Sequence, residues 1–287
     1  MTFQRIRDHL ARDFPVEACC ATLGVSTSGY YYWLKEPTGK REARREELAR
    51  QISLVHEKSR RTYGSPRIHR ALLSMGVKAN RKTIAKIMRE KQLRSKVARK
   101  WRVRTTDSHH AFAPAPNVLD RNFSVGEINR VWLCDITYIP TAEGFIYLAG
   151  VMDLGSRRIV GWSMQEHLRV ELAQAALDMA TARRDPPPGL IHHSDRGVQY
   201  CCGEYRAQLE AWGMVASMSK TGDCYDNAPK ESFWATLKNE LLEGKAFATK
   251  EAARAAIFEY MEVFYNRERI HSSLGYVSPE AFEAGRR

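Results

Sequence analysis

No stretch of about 18 consecutive apolar residues occurs in this 287-residue chain, so a membrane-spanning helix is not expected. The opening Met1-Thr2-Phe3-Gln4-Arg5 has no apolar core of the secretory kind, which points to a cytoplasmic protein. Cysteine is sparse and poorly spaced for chemistry. Of the six, Cys19 and Cys20 are adjacent, as are Cys201 and Cys202, while Cys134 and Cys224 stand alone. There is no Cys-x-x-Cys pair and no histidine cluster at a zinc-finger interval, so small buried thiols in a reducing compartment are expected, neither disulfides nor zinc ligands. Internal repeats and low-complexity tracts are also missing, and no Ser, His, Asp order for a side-chain nucleophile is visible.

Positive charge is plentiful, and it is unevenly spread. The net charge is +12, but residues 1–110 hold 26 Lys+Arg against 10 Asp+Glu, a balance of +16, whereas residues 111–287 stand at −4. A basic front on a slightly acidic rear reads as a polyanion-binding module joined to something else.

The front half contains two small helical units. Val16 to Leu23 has helical apolar spacing, stops at Gly24, and is followed by Ser26 as a cap for a helix through Tyr30 to Leu34. Helix, glycine turn and capped helix is the helix-turn-helix order. The aromatics Tyr30, Tyr31, Tyr32 and Trp33 are expected to pack. Residues 36–50 are highly charged, with a helix from about Glu42. Further on, Ser65 reads as a cap followed by Pro66, Ile68, Leu72 and Leu73 share a face, Gly76 breaks the helix, and Asn80 caps another. That last helix turns Ile84, Ile87 and Met88 inward and leaves Arg81, Lys82, Lys86 and Arg89 for phosphates and base edges of double-stranded DNA. The expected organisation is a helix-turn-helix unit at 1–40, a basic DNA-binding domain at 41–105, a polar and then proline-stiffened linker at 106–125, and a core with a helical tail at 126–287.

From Arg130 the pattern changes to three near-continuous apolar runs, Val131 to Ile139, Phe145 to Val151 and Arg158 to Met164, with turns near Gly144 and Gly155. A helix from Val170, a strand to Ser194, a helix from Gly203, a strand from Val215 and a long helix from about Asn227 follow. The fold class expected is therefore α/β, a ribonuclease H-like mixed sheet flanked by helices, preceded by small all-α helix-turn-helix units.

Three acids stand out. Asp135 lies inside an apolar strand, where a carboxylate is costly unless paired or metal-bound. Asp195 ends a strand, where sites of α/β sheets collect. Glu231 opens a helix on which Lys238, seven residues later, shares nearly the same face. Carboxylates from two strands and a helix suit a pair of hard divalent cations, which phosphodiester cleavage uses. Asp153, Asp223 and Asp226 are rival acids, Asp226 reading rather as a helix cap. His193 reads as a hydrogen-bonded structural histidine, with a role beside the acids as the alternative. Arg267, Arg269 and His271 are candidate DNA contacts.

The chain resembles the DDE transposases of bacterial insertion sequences, relatives of retroviral integrases, and among them the OrfB product of the two-reading-frame insertion sequence three family. Four blocks carry the resemblance: Trp132-x-x-Asp135-Ile136-Thr137-Tyr138-Ile139, His193-Ser194-Asp195-Arg196-Gly197-x-Gln199-Tyr200, Asp226-Asn227-Ala228-x-x-Glu231-Ser232-Phe233-x-x-x-Leu237-Lys238, and Tyr265-Asn266-x-x-Arg269-x-His271-Ser272-x-Leu274-Gly275-Tyr276-x-x-Pro279. The 35 residues between Asp195 and Glu231 match the family's second interval. The resemblance implies that Asp135 bridges two magnesium (or manganese) ions, that Asp195 and Glu231 each complete one site, and that Lys238 contacts DNA. It also implies cleavage at element ends, strand transfer by the freed 3′-hydroxyl, a homo-oligomer on paired ends, an upstream OrfA partner and a nucleoid-associated location. Two readings of other classes stay open on the residues alone: a non-catalytic helix-turn-helix regulator and a ribonuclease H-like nuclease.

Overall fold

The computed structural model describes residues 2–35, 39–96, 113–120, 126–219, 228–242 and 246–286, with only the backbone at 40 and 228–231. They form two compact units, Met1–Arg94 and Ser95–Arg287. Among them no helix is long and apolar enough to cross a membrane.

In the first unit, helix α1 (Thr2–Arg5) runs on as a π-helical turn, Ile6–Leu10, followed by α2 (Val16–Thr22) and α3 (Thr27–Lys35). The expected turn forms at Gly24, whose φ of +66° suits a residue without Cβ. The Ser26 hydroxyl accepts the Gly29 N–H at 2.9 Å, the cap read from the sequence. Ile6, Cys19, Cys20 and Tyr30 form the small core, with Phe3 and Trp33 against it. The aromatic run splits: Tyr30 and Trp33 pack as expected, but Tyr31 and Tyr32 face solvent, because a helix of 3.6 residues per turn cannot turn four successive side chains inward.

Helices α4 (Lys40–Lys58), α5 (Ser65–Ser74) and α6 (Arg81–Glu90) follow. Helix α5 already includes Ser65, the expected cap, so Gly64 occupies the cap position and Pro66 sits in the first turn, where its missing N–H costs nothing. Asn80 caps α6 by accepting the Lys82 N–H at 2.8 Å. Ile68 and Leu72 of α5 and Ile84 and Ile87 of α6 are buried, while Arg81, Lys82, Lys86 and Arg89 are all exposed.

In the second unit, strands β1 (Val131–Thr141), β2 (Gly144–Asp153) and β3 (Ile159–Gln165) form an antiparallel meander. Helix α7 (Val170–Arg184) leads to β4 (Ile191–Ser194), then α8 (Val198–Cys201), α9 (Gly203–Ala211) and β5 (Val215–Met218). Strand β4 pairs parallel with both β1 and β5, giving the order β3-β2-β1-β4-β5. The apolar runs lack alternation because both faces are covered. On one face Trp132, Cys134 and Val160 meet Ala176, Leu177 and Ala180 of α7 and Tyr205 of α9. On the other, Ile139, Ile146 and Leu148 meet α10 (Ala228–Leu237) and α11 (Lys250–Glu259). Two π-helical segments, Lys238–Leu242 and Tyr260–Glu268, extend these helices, and α12 (Pro279–Ala284) closes the chain.

The two edges of the sheet are occupied. At β5, the stretch 113–119, expected to be linker, packs on this unit: Pro116 O accepts from Met218 N at 3.3 Å, and Val118 N donates to the Ser217 hydroxyl at 2.9 Å. At β3, the Asn266 amide takes both backbone groups of Ile159, at 2.9 and 3.0 Å. Proline stiffness at 114 and 116 describes this segment's conformation and says nothing about its docking.

Close approach of α7 to the sheet depends on Gly161, where an added Cβ would stand 2.2 Å from the Ala176 carbonyl oxygen and 2.7 Å from the Ala180 Cβ. Gly161→Ala therefore lowers unfolding stability by about 1–3 kcal/mol, read as a lower denaturant midpoint at unchanged slope. An unchanged midpoint would mean that α7 does not pack this tightly on β3.

Candidate active site

Asp135 is the fifth residue of β1. Side chains alternate along a strand, so Trp132 and Cys134 enter the α7 cluster and Asp135 leaves on the opposite face, where α10 lies. Its Oδ1 accepts the Ile136 backbone N–H at 2.8 Å, and its Oδ2 accepts the Trp234 indole N–H at 3.0 Å. These donors offset the cost of holding a carboxylate within an apolar strand.

Asp195 directly follows β4. Leu133 pairs with His193 across the parallel strands, so Asp135, midway along β1, and Asp195, just past β4, each lie two residues further on neighbours spaced about 4.8 Å apart. Asp195 Oδ1 accepts the Gly197 N–H at 3.0 Å, which closes a local turn. Both acids are felt by the same phenols. Burial, then Tyr147, then the charges of Asp195 and Asp135 raise the Tyr138 hydroxyl above its ordinary range, and burial with smaller contributions from both acids does the same at Tyr200.

The backbone of Glu231 lies on α10, one turn before Trp234; its side chain lies outside the described residues. Lys238 follows Trp234 by four residues and is half-buried where α10 passes into the π-helical segment. Burial pushes its ammonium below the usual lysine range, and the Asp135 charge pulls the other way. Asp135, Asp195 and Lys238 are thus gathered at one end of the sheet beneath α10. Among the described residues no group of three His, Cys, Asp or Glu side chains is positioned to hold a metal. Trp234 was not singled out in the sequence, although its spacing from Glu231 and Lys238, three and four residues, was there to be read.

The rival acids divide. Asp153 is fully buried and caps the turn after β2, accepting from Ser156 N at 2.7 Å, the Ser156 hydroxyl at 2.9 Å and Asn129 N at 2.6 Å. Asp223 and Asp226 lie outside the described residues. His193 is a structural histidine: its Nδ1 meets the Ser217 hydroxyl at 2.9 Å. That hydroxyl also accepts the N–H groups of Val118 and Leu119, which ties the ring to the strap beside β5. His192, on the opposite face against Tyr205, is pushed by burial to about 3 and stays neutral.

In the tail block, Arg267 is exposed, with Glu280 at 3.8 Å. Arg269 corrects the sequence reading. It is 4% exposed and grips the Glu240 carboxylate with Nε at 2.9 Å and Nη2 at 2.7 Å, so it offers no surface to a phosphate. Burial alone would lower its guanidinium, but the hydrogen bonds and charge of Glu240 raise it instead. Tyr260 donates to the same carboxylate at 2.8 Å, and His271 is buried against Tyr265, ring centroids 4.8 Å apart. Nothing in the sequence paired positions 240 and 269, which lie on separate helical segments.

Removing one partner of such a pair strands a buried charge. Arg269→Ala costs about 3–5 kcal/mol in chemical denaturation, while Glu240→Leu combined with Arg269→Met recovers most of it. A single variant of unchanged stability that binds DNA poorly would instead restore Arg269 as a DNA contact.

Comparison with known proteins gives three domain matches: an integrase core domain over residues 127–224, an HTH-like domain over 43–101, and a second integrase core domain model over 213–279. The chain is 46% identical over 263 residues to the insertion element IS600 uncharacterized 31 kDa protein of Shigella sonnei, covering 92% of this chain and 96% of that one. It is 40% identical over 285 residues to the transposase InsF for insertion sequence IS3A of Escherichia coli, covering 99% and 98%. A solved catalytic core of HTLV-2 integrase in complex with magnesium is similar at a TM-score of 0.42 and 15% identity, over 54% of this chain and 95% of that one. The architecture rests on the sheet order itself and not on this looser likeness.

Proposed function

The chain belongs to the insertion-sequence transposase family of InsF, and we propose that three acids, Asp135, Asp195 and Glu231, carry its chemistry by holding two divalent ions, magnesium or manganese. The observation that carries the reading is the register of the parallel pair, which sets Asp135 and Asp195 each two residues beyond Leu133 and His193 on neighbouring strands, with the helix whose backbone bears Glu231 packed on β1 through Trp234. A set of carboxylate oxygens suits hard cations. Such ions, when bound, neutralise phosphate charge and favour ionisation of an attacking water or hydroxyl.

The reaction proposed has two balanced steps. Water adds across one phosphodiester at an element end, releasing a 3′-hydroxyl and a 5′-phosphate. That 3′-oxygen then displaces the 3′-oxygen of a target phosphodiester, forming one bond as another breaks. Asp135, fixed by two hydrogen bonds, presents a carboxylate of set orientation. Lys238, beside it, orients the phosphate that enters.

Double-stranded DNA is the proposed partner, held by the domain at 41–105 through Arg81, Lys82, Lys86 and Arg89, with Arg267 as a further contact. The proposal extends to the unit at 1–40, the core at 126–287, a homo-oligomer on paired ends, an upstream OrfA product and a cytoplasmic, nucleoid-associated location. The exposure of all four α6 cations supports the DNA reading.

Asp135→Asn, Asp195→Asn and Glu231→Gln each reduce magnesium-dependent cleavage of an end-bearing duplex by about 1,000-fold or more, with end binding retained. Full activity in any one of them removes that residue from the set. Cut but unjoined products would favour a plain nuclease, and binding without cutting a regulator.

Binding weakens steeply with salt, since phosphate contacts release counterions. Each α6 cation that meets a phosphate lowers the slope of log affinity against log salt by about 1 when changed to alanine. A slope that four such changes leave intact would locate the DNA contacts elsewhere.

A further inference from the structure

We infer that Trp234 is a positioning residue for Asp135, its indole N–H fixing the orientation of that carboxylate while its ring sets the spacing between β1 and the helix bearing Glu231. The inference rests on the acid set proposed above.

The geometry is specific on both sides of the bond. Asp135 Oδ1 takes the N–H of its own neighbour Ile136 at 2.8 Å, which restrains one oxygen from within the strand. Oδ2 takes the Trp234 N–H at 3.0 Å, which restrains the other from a separate element. Two donors on two oxygens hold the plane of the carboxylate more tightly than the strand bond alone would. A carboxylate has about four acceptor directions, so accepting these two N–H groups is compatible with holding a cation.

Trp234 is well built for this task. It is 6% exposed and lies in the cluster with Ile139, Leu237 and Tyr265, so its ring cannot follow a moving acid. Phe233 sits beside it with ring centroids 4.8 Å apart. An indole N–H donates and never accepts, so it can meet Asp135 only through a carboxylate oxygen, as it does. A buried indole usually finds an acceptor, although the buried Trp132 N–H has none among the described residues, and a backbone carbonyl would serve. Here the acceptor is instead the one carboxylate in the middle of the central strand.

Position on the helix adds the second part. Residues three and four apart on a helix are neighbours on one side. Trp234 follows Glu231 by three and precedes Lys238 by four, so one helical side carries the expected third acid, the donor to the first acid and the amine. The ring between α10 and β1 is then the spacer that decides how far apart the acids of strand and helix are held before any ion arrives.

The test is manganese binding to the full-length protein without DNA, following free Mn2+ by electron paramagnetic resonance. It compares the unaltered chain, Trp234→Phe and Asp135→Asn, with thermal melting run on each. Phenylalanine keeps most of the apolar ring and removes the N–H. Loss of such a supporting partner weakens metal affinity about 10- to 100-fold, so Trp234→Phe binds Mn2+ at least about 10-fold more weakly while melting within a few degrees of the unaltered chain. Its cleavage deficit shrinks as Mn2+ is raised to saturation, a shift in metal requirement and not in the maximal rate. If Trp234→Phe does not fold, Trp234→Tyr is measured in the same way. Unchanged Mn2+ affinity in the tryptophan variant, with binding lost in Asp135→Asn, overturns this inference alone. Unchanged affinity in Asp135→Asn overturns the acid set and the inference with it.

Discussion

An ionised carboxylate in the interior of an apolar strand is the constraint from which the rest of the core follows. Asp135 is tolerable there because a backbone N–H and an indole N–H meet its two oxygens. Meeting the second oxygen requires a helix on that face of the sheet, and α10 supplies it. Holding α10 requires further packing, which Phe233 and Leu237 provide against Ile257, Tyr260 and Tyr265. The Glu240–Arg269 pair then ties the segment beyond α10 to the one that follows α11. A buried ion pair of this kind is weak evidence of net stability, but it admits few alternative registers between the segments it joins.

The opposite face obeys a different demand. There α7 must come close enough to bury the sheet. The small residues Ala173, Ala176 and Ala180 along α7 and Gly161 on β3 make that approach. One face is thus built for closeness and the other for the placement of polar groups, and the central strand serves both by alternation.

Much of this was legible in the residues. The five strands and the capped helices followed from apolar periodicity and from Ser26, Asn80 and Gly24, since these are local signals; the parallel pairing of β4 with β1 and β5 did not. Asp135 and Asp195 stood out because each breaks a local rule, an acid in or at the end of an apolar strand. What escaped was pairing over long separations. Arg269 read as a surface cation because its actual partner, Glu240, is 29 residues away in the chain. Segment 113–119 read as tether because proline fixes φ without revealing what the chain lies against. Trp234 drew no reading of its own, and only the fold reveals that its ring is buried and its one polar atom faces the acid.

The treatment of the sheet margins has a consequence for how the protein associates. An open margin offers a row of unmet amide and carbonyl groups on which a second chain can build. Here the side-chain amide of Asn266 imitates a neighbouring strand at Ile159, and the strap through Pro116 and Val118 does similar service beside Ser217 and Met218. A further strand joining at either of these points would first have to displace a group of this same chain. Surplus copies in a crowded compartment therefore meet a sheet whose adhesive ends are already spoken for.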